Sequence, residues 1–197
     1  GENFRYVFDK FTALPSQMTF GGVNLLEAPA QLSIWRAPTD NDRNIRIQWE
    51  RAGYRHTRPR VYSIQASSQG DGVEITASLS LGALVVQRIL TLDATYRISS
   101  DGQVALRFHA VRRLDSRLPE MPFLPRFGLC LTLPKSMNRV EYLGYGPYES
   151  YVDKRRASYL GKFSSSVEAL HEDYLKPQEN GSHYGCRRAS LSDGDFA

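Results

Sequence analysis

Strict alternation of apolar and polar residues is the feature that most limits how this chain can fold. Between residues 73 and 81, every second residue is apolar and its neighbours are mostly polar. The pattern recurs over residues 104–110 and 127–133, and residues 84–92 are more continuously apolar. A period of two places one set of side chains on each face of a strand. We therefore expect an all-β fold, an antiparallel sandwich or barrel.

Turn sequences separate the predicted strands. Asp71-Gly72 and Asp101-Gly102 are typical of hairpins, because glycine tolerates positive φ and aspartate can hydrogen-bond its own backbone. Gly21-Gly22 predicts the turn of an opening hairpin between Phe4–Leu14 and Val23–Leu26. The chain thus reads as consecutive strands joined by tight turns.

Some segments lack this alternation. Over residues 45–54, the spacing of the apolar side chains fits one short helix that Gly53 can end. Residues 144–161 and 176–185 mix Gly, Pro, Tyr and charged residues without a period. Such composition is typical of long surface loops near a site.

Length and charge exclude several classes of protein. The 197 residues suit one domain, which we expect to span residues 1–197. The net charge is +4, but Lys and Arg are scattered in ones and twos without a basic block, so we predict no nucleic-acid partner. No apolar run approaches the roughly 20 residues that span a bilayer, so we predict no membrane partner.

The cysteines and histidines carry no metal-binding pattern. Cys130 alternates with apolar residues, which predicts a packed thiol, while a disulfide with Cys186 is an open alternative. No two of the four histidines have the i, i+4 spacing of a metal site. We therefore predict neither a metal site nor triad chemistry.

Residues 35–42 (WRAPTDND) place an arginine and short polar side chains around a proline turn. Arg36 offers a planar fork of donors, and Asp40, Asn41 and Asp42 offer acceptors at short range. Such groups suit sugar hydroxyls, and the four are candidate substrate-binding residues. The alternative is an Asx-type turn in which an Arg–Asp pair pins the loop.

Two further segments carry candidate substrate-binding residues. Residues 145–153 hold three tyrosines and two acids, and Tyr145 and Glu149 offer a ring face and a carboxylate to a sugar. The alternative is a tyrosine-rich loop packed on the sheet. Glu179 and Asn180 can face a ligand, although the Asn-Gly pair alone also explains a tight turn.

A catalytic pair of carboxylates is conceivable but not required by the spacing. Retaining glycosidases need two carboxyl groups about 5 Å apart. Glu149 with Asp153 or with Glu179 could supply them, yet nothing in the sequence demands this arrangement. We therefore assign no catalytic residue.

Taken in order, these motifs resemble those of bacterial β-galactosidases of glycoside hydrolase family 2. The resemblance includes that family's RAP-x-DND signature, the short helix after it, the strand that opens the next sheet, a WLG-x-GP-x-E-x-Y-x-D segment and a P-x-ENG…G-x-R segment. The matching residues here are 35–42, 49–53, 125–129, 142–153 and 177–187. Five motifs in order are far more specific than any one of them.

The resemblance implies a galactose-mutarotase-like β-supersandwich, truncated here, that forms the fifth domain of the full enzyme. It implies a parent that hydrolyses terminal β-galactosides with retention, with both catalytic glutamates in an absent TIM-barrel domain. The parent family commonly uses Mg and Na or K in that absent domain, so we expect no cofactor in this fragment. It also implies a galactoside substrate, partner domains in the same chain and a homo-oligomeric parent.

The implied role is therefore a non-catalytic one, in which the fragment contributes scaffold, domain interface and active-site wall. One alternative is a carbohydrate-binding module with weak galactoside affinity, based on the aromatic–acid loop. Another is a mutarotase acting on free sugar, which rests on fold analogy alone and needs a histidine and a carboxylate facing the sugar ring.

Overall fold

The computed structural model describes residues 1–84, 88–112, 121–176 and 178–194, within two compact units. Unit 1 comprises Gly1–Arg36 and Asp42–Leu133, and unit 2 comprises Ala37–Asn41 and Pro134–Ala197. The strands pair in antiparallel sheets, and the described residues contain one short α-helix. The predicted all-β antiparallel class with one short helix is confirmed.

The described part of unit 1 is built from three antiparallel sheets. Their strand orders are β1-β2-β3, β4-β9 and β5-β6-β7-β8. The strands are β1 (Phe4–Asp9), β2 (Leu14–Phe20), β3 (Val23–Asn24), β4 (Ala28–Ser33), β5 (Arg58–Gln69), β6 (Gly72–Gly82), β7 (Leu90–Ile98), β8 (Val104–Arg112) and β9 (Gly128–Thr132).

The core of unit 1 lies where the four-stranded sheet meets the opening hairpin. Leu79 of β6 pairs in register with Leu92 of β7, and both are buried, as the alternation predicts. Tyr96 packs its ring edge-on to Phe8 at 4.8 Å and donates its hydroxyl to the Ala13 carbonyl at 2.9 Å. Burying a leucine or aromatic side chain stabilises a fold by about 1.5–3 kcal/mol, so this shared core holds the sheets of unit 1 together.

The opening hairpin differs from its prediction. The strand predicted over Phe4–Leu14 is broken, because the Asp9 carboxylate accepts the Phe11 N–H at 2.8 Å and the Asp9 carbonyl accepts the Ala13 N–H at 2.7 Å. Ala13 adopts a positive φ of 57°, which completes a turn and lets β1 pair with β2. The predicted Gly21-Gly22 turn then joins β2 to β3.

The single predicted helix and the two predicted hairpins are confirmed. Helix α1 (Arg46–Arg51) is followed by Gly53, whose left-handed φ of 73° ends it. Trp49 on this helix is buried and donates its indole N–H to the Phe123 carbonyl at 2.9 Å. The β7–β8 turn contains Gly102 with the expected positive φ of 86°. The β5–β6 turn is shifted by one residue to Gly70-Asp71, because Gly70 has the positive φ of 61° and Gly72 is already the first residue of β6.

The outermost strands of unit 1 are less buried than their alternation predicts. Leu106 on β8 and Leu131 on β9 are exposed; within the described residues, β8 is the last strand of its sheet and β9 pairs only with β4. The prediction of a packed Cys130 is wrong, since this thiol is exposed and, like that of Cys186, free. Within the apolar run over residues 84–92, residues 85–87 lie outside the described part.

Unit 2 contains one described sheet in which β10 lies between the other two strands. The strands are β10 (Arg139–Gly146), β11 (Tyr159–Ser166) and β12 (Arg188–Ser192), with the order β11-β10-β12. The loop predicted over residues 144–161 is therefore too long, because both of its ends belong to strands. A Cβ on Gly146 would overlap the Tyr142 hydroxyl and the Phe163 ring, so the glycines that hid the strand pattern are needed for close packing.

Candidate functional site

Glu149 is the most deeply buried charged side chain of the described part of unit 2, with 0% of its side chain exposed. Its two carboxylate oxygens accept hydrogen bonds from the Tyr174 hydroxyl and from the Gly181 N–H. The Lys154 ammonium lies 3.7 Å from the first oxygen. A buried carboxylate is costly unless it is paired and hydrogen-bonded, and both conditions hold here. We call Glu149, Lys154, Glu172, Tyr174 and Gly181 the Glu149 network.

Lys154 and Tyr174 connect the buried carboxylate to the surface. Lys154 donates to the Tyr174 hydroxyl oxygen at 2.9 Å and lies 3.8 Å from the Glu172 carboxylate. Burial lowers the pKa of Lys154, but the hydrogen bond with Tyr174 and the two nearby carboxylates raise this pKa above its ordinary value. Burial and the hydrogen bond to Glu149 raise the pKa of Tyr174. At neutral pH the network therefore holds a lysine cation and a neutral phenol.

Asn180 holds together two stretches of unit 2. Its side-chain oxygen accepts the Glu172 N–H at 3.1 Å, and its amide group donates to the Glu172 carbonyl at 2.7 Å. Gly181 follows with a positive φ of 72°, a backbone conformation that favours glycine. Pro177 of the same motif lies outside the described residues.

The segment 37–41 joins this polar cluster within unit 2. The Glu179 carboxylate accepts the Ala37 N–H at 3.0 Å, and the Asn41 side chain donates to the Asp153 carboxylate at 3.2 Å. Asp40 is exposed and forms no hydrogen bond or ion pair with the described residues. The structure thus brings together predicted residues that are far apart in the sequence, and Asp40 is their free carboxylate.

Tyr145 is partly buried and anchors the backbone next to the cluster. Its carbonyl accepts the Ser150 hydroxyl at 3.1 Å, and its ring lies 5.8 Å from that of Tyr184. Ser150 is completely buried and also accepts the Tyr184 N–H at 2.9 Å. The tyrosine-rich loop is therefore packed on its own unit at this position, as the structural alternative proposed.

Arg36 and Asp42 belong to unit 1 and bind each other. The guanidinium donates to one carboxylate oxygen at 2.9 Å and lies 2.5 Å from the other, so the pair is bidentate. Asp42 is buried, and the Arg36 guanidinium carbon lies 5.5 Å from the Trp49 ring centroid. A bidentate pair fixes geometry as well as charge. The Arg–Asp alternative describes these two residues.

The conceivable catalytic carboxylates have other partners. Glu149 has no exposed side-chain surface, whereas Asp153 and Glu179 accept hydrogen bonds from Asn41 and Ala37. These contacts hold the Ala37 backbone and the Asn41 side chain in place. The described residues contain no group of three or more potential metal ligands, and no described helix is long and apolar enough to cross a membrane.

Sequence reasoning missed the partners of Glu149. Lys154, Glu172 and Tyr174 lie in stretches without periodicity, and no spacing rule connects them to Glu149. The available signal was the character of Glu149 itself, an acid among aromatic and small residues. Such an acid, once buried, requires a cation and donors that only the folded chain identifies.

Comparison with known proteins places these features in a class. The family model described as "Beta galactosidase small chain" matches residues 1–197. The chain therefore belongs to the β-galactosidase small-chain family, and the resemblance seen in its motifs is confirmed.

Individual relatives narrow this class further. The chain is 45% identical over 93% of its length to a β-galactosidase of Actinobacillus pleuropneumoniae. It is 34% and 32% identical, over 98% of its length in both cases, to β-galactosidases of Staphylococcus xylosus and Streptococcus thermophilus. It spans only 18–19% of the length of these relatives.

Proposed function

We propose that this chain is a non-catalytic domain of a β-galactosidase that hydrolyses terminal β-D-galactosides such as lactose with retention. In this proposal the chain contributes scaffold, a domain interface and part of the active-site wall. The catalytic glutamates, and the Mg and Na or K that such enzymes use, belong to a TIM-barrel domain of the same parent protein. The parent is a homo-oligomer.

The burial of Glu149 carries the proposal. An acid that attacks or protonates a sugar must reach it, whereas Glu149 has 0% of its side chain exposed and uses both oxygens to hold Tyr174 and Gly181. Its physical role is to fix the positions of neighbouring loops. A domain whose best-placed acid is used in this way supports a site without performing the chemistry.

Asp40 supports the active-site-wall part of the proposal. The segment that carries it is held by the Ala37–Glu179 and Asn41–Asp153 hydrogen bonds, while the Asp40 carboxylate is exposed and unpaired. A free carboxylate on a fixed loop can accept hydrogen bonds from sugar hydroxyls. Asp40 is thus the residue of this cluster best placed to touch substrate.

Turnover by the isolated chain is the direct test. We expect no release of nitrophenol from an aryl β-galactoside by the wild-type chain. Glu149→Gln and the exposed control Glu168→Gln are assayed beside it. Turnover that Glu149→Gln abolishes and Glu168→Gln preserves would contradict the proposed role.

The wall is tested in the full-length parent enzyme. We expect Asp40→Ala to raise KM several-fold with a smaller change in kcat, because it removes binding and not chemistry. Glu168→Ala serves as the matched exposed control and should leave both constants unchanged. Equal kinetic constants for the two variants would contradict the proposal that Asp40 is part of the active-site wall.

A carbohydrate-binding module is the second candidate. Tyr148 lies in the loop of residues 147–158 and Tyr159 directly follows it, and both are strongly exposed. One side of the Tyr159 ring packs edge-on against Phe163 at 5.4 Å, and the exposed surface of both rings can stack on the C–H faces of a sugar. Titration with galactose, followed by amide chemical shifts, should show saturable shifts near these residues if the module binds. An unchanged spectrum at high millimolar galactose would contradict the binding module and favour the scaffold role.

A further inference from the structure

Strand β5 is the longest of the described strands and an open edge of its sheet. It spans Arg58–Gln69 and pairs with β6 on one side. Among the described residues no other strand pairs with its second side, because the sheet order is β5-β6-β7-β8. An open edge presents unpaired N–H and C=O groups that can accept one more strand.

A groove of about 520 Å³ runs along this edge within unit 1. Apolar side chains are available in it, since Phe11 is 86% exposed and Tyr62 is 47% exposed. Tyr62 is placed on the outer face at a β-bulge and shares a hydrogen bond of 2.9 Å with the buried Ser80 hydroxyl. The groove is lined by Lys10, Phe11 and residues 59–64.

The charges around the groove are almost all positive. Residues 51–70 contain four arginines and no Asp or Glu. The guanidinium carbons of Arg60 and Arg88 lie 5.7 and 5.6 Å from the Tyr62 ring centroid. Neither arginine has a carboxylate partner among the described residues. Asp9 is the acid next to Lys10 in the sequence, and its carboxylate already accepts a hydrogen bond from the Phe11 N–H.

We propose that the β5 edge is a docking site for an extended acidic peptide segment, which adds to the sheet as a fifth strand. Main-chain hydrogen bonds to β5 supply the pairing, as in other cases of strand addition. Alternate side chains of the segment then lie on opposite faces. Its apolar side chains contact Phe11 and Tyr62, and its carboxylates pair with Lys10 and Arg60.

A second copy of this chain is a poorer occupant of the same edge. Antiparallel pairing of two β5 strands would bring the arginine-rich, acid-free stretches of both copies together. Like charges on facing strands are destabilising. Charge complementarity therefore favours an acidic partner over self-association.

The test is binding of a defined probe to the whole chain. The probe is an end-capped, fluorophore-labelled hexapeptide of alternating glutamate and valine, followed by fluorescence anisotropy. We expect saturable binding that weakens as salt screens the charges. Two control peptides, one with lysine in place of glutamate and one with alternate amides N-methylated, should not bind.

Matched variants locate the site. We expect Arg60→Glu to weaken binding at least about tenfold, because it replaces an attractive charge with a repulsive one. Arg107→Glu makes the same change on β8, at the opposite edge of the sheet, and should change the affinity less than about twofold. Both side chains are exposed, so neither substitution disturbs the core.

Several outcomes would overturn the proposal. The first is no anisotropy change at millimolar protein, and the second is equal loss of affinity in the two variants. Binding of the lysine peptide or of the N-methylated peptide would also reject it, as would a concentration-dependent dimer that Arg60→Glu dissociates, since that result assigns the edge to a second copy.

Discussion

Unit 1 and unit 2 bury different kinds of side chain. Unit 1 encloses an apolar core that includes Trp49, Leu79 and Tyr96, whereas the buried apolar residues of the described part of unit 2 are Val140 and Tyr142. Unit 2 instead buries polar groups, above all Glu149 and Ser150. An apolar core is stabilised by burial that is insensitive to direction, while a polar cluster depends on each hydrogen bond being made. We therefore expect different kinds of substitution to destabilise the two units.

The largest effect should come from the core of unit 1. Trp49→Ala removes a completely buried ring and its indole hydrogen bond, so we expect the free energy of unfolding to fall by about 3–5 kcal/mol. Urea denaturation followed by circular dichroism measures this change. Leu84→Ala at a fully exposed site is the control and should have almost no effect. A small loss for Trp49→Ala would mean that the core does not dominate unit 1.

The second largest effect should come from the Glu149 network. Glu149→Gln keeps the size of the side chain but removes the charge opposite Lys154, and we expect a loss of about 1–3 kcal/mol. Hydrogen exchange should locate the loss at the Gly181 and Glu172 amides. Glu168→Gln, on the surface of the same unit, should leave these amides unchanged. If Glu149→Gln behaves like that control, the polar cluster does not stabilise unit 2.

A smaller and pH-dependent effect is expected at Tyr174. Tyr174→Phe deletes one hydrogen bond to Glu149 and should cost about 1 kcal/mol at pH 8. The folded chain raises the pKa of Tyr174 and of Lys154 above ordinary values of 10.0 and 10.5. A folded state that holds protons more tightly is stabilised below those values and loses this stability as the pH rises through the raised pKa.

The wild-type chain should therefore lose stability between pH 8 and pH 10.5, and Tyr174→Phe should lose less over the same range. Urea midpoints at the two pH values provide the comparison. Residual decline in the variant is expected from Tyr142 in unit 2 and Tyr96 in unit 1, because burial raises the pKa of both phenols. A steeper decline in the variant than in the wild type would reject the assigned direction at Tyr174.

The smallest effects should come from exposed ion pairs, and they should be alike in both units. Lys162–Glu141 in unit 2 and Arg97–Glu74 in unit 1 have N–O distances of 2.9 and 2.7 Å, but one partner of each pair is largely exposed. Double-mutant cycles should give about 0.2–0.5 kcal/mol for either pair. A value above about 1 kcal/mol in unit 2 alone would show that charge, and not burial, distinguishes the units.

Local patterns were sufficient to predict much of unit 1. The alternation over residues 73–81 predicted β6, and the Asp-Gly pairs predicted the β5–β6 and β7–β8 hairpins. The turn before Ala13 was missed, because it contains no Gly or Pro and depends on the Asp9 side chain closing on its own backbone. The exposure of Leu131 depends on which strand lacks a neighbour, and that is a tertiary property.

Unit 2 was less predictable for a physical reason. The glycines of β10 and β11 contribute no side chain to an alternating pattern, so the strand ends looked like loop. The candidate residues were found by their chemistry, but their roles were set by distant partners. Glu149 accepts a hydrogen bond from Tyr174, and Glu179 accepts one from the Ala37 backbone. No sequence spacing encodes these contacts.

The contacts around Asn180-Gly181 have a consequence for the spontaneous deamidation of the protein. Asn-Gly sequences lose ammonia readily, because the glycine nitrogen attacks the asparagine side-chain carbonyl to form a succinimide. Here the Gly181 N–H is bound to Glu149, and the Asn180 side chain is held at both ends by the Glu172 backbone. Neither reacting group is free to turn toward the other. We therefore expect the native fold to slow the deamidation of Asn180. Conversion of Asn180 to aspartate or isoaspartate should accelerate when this part of the chain unfolds.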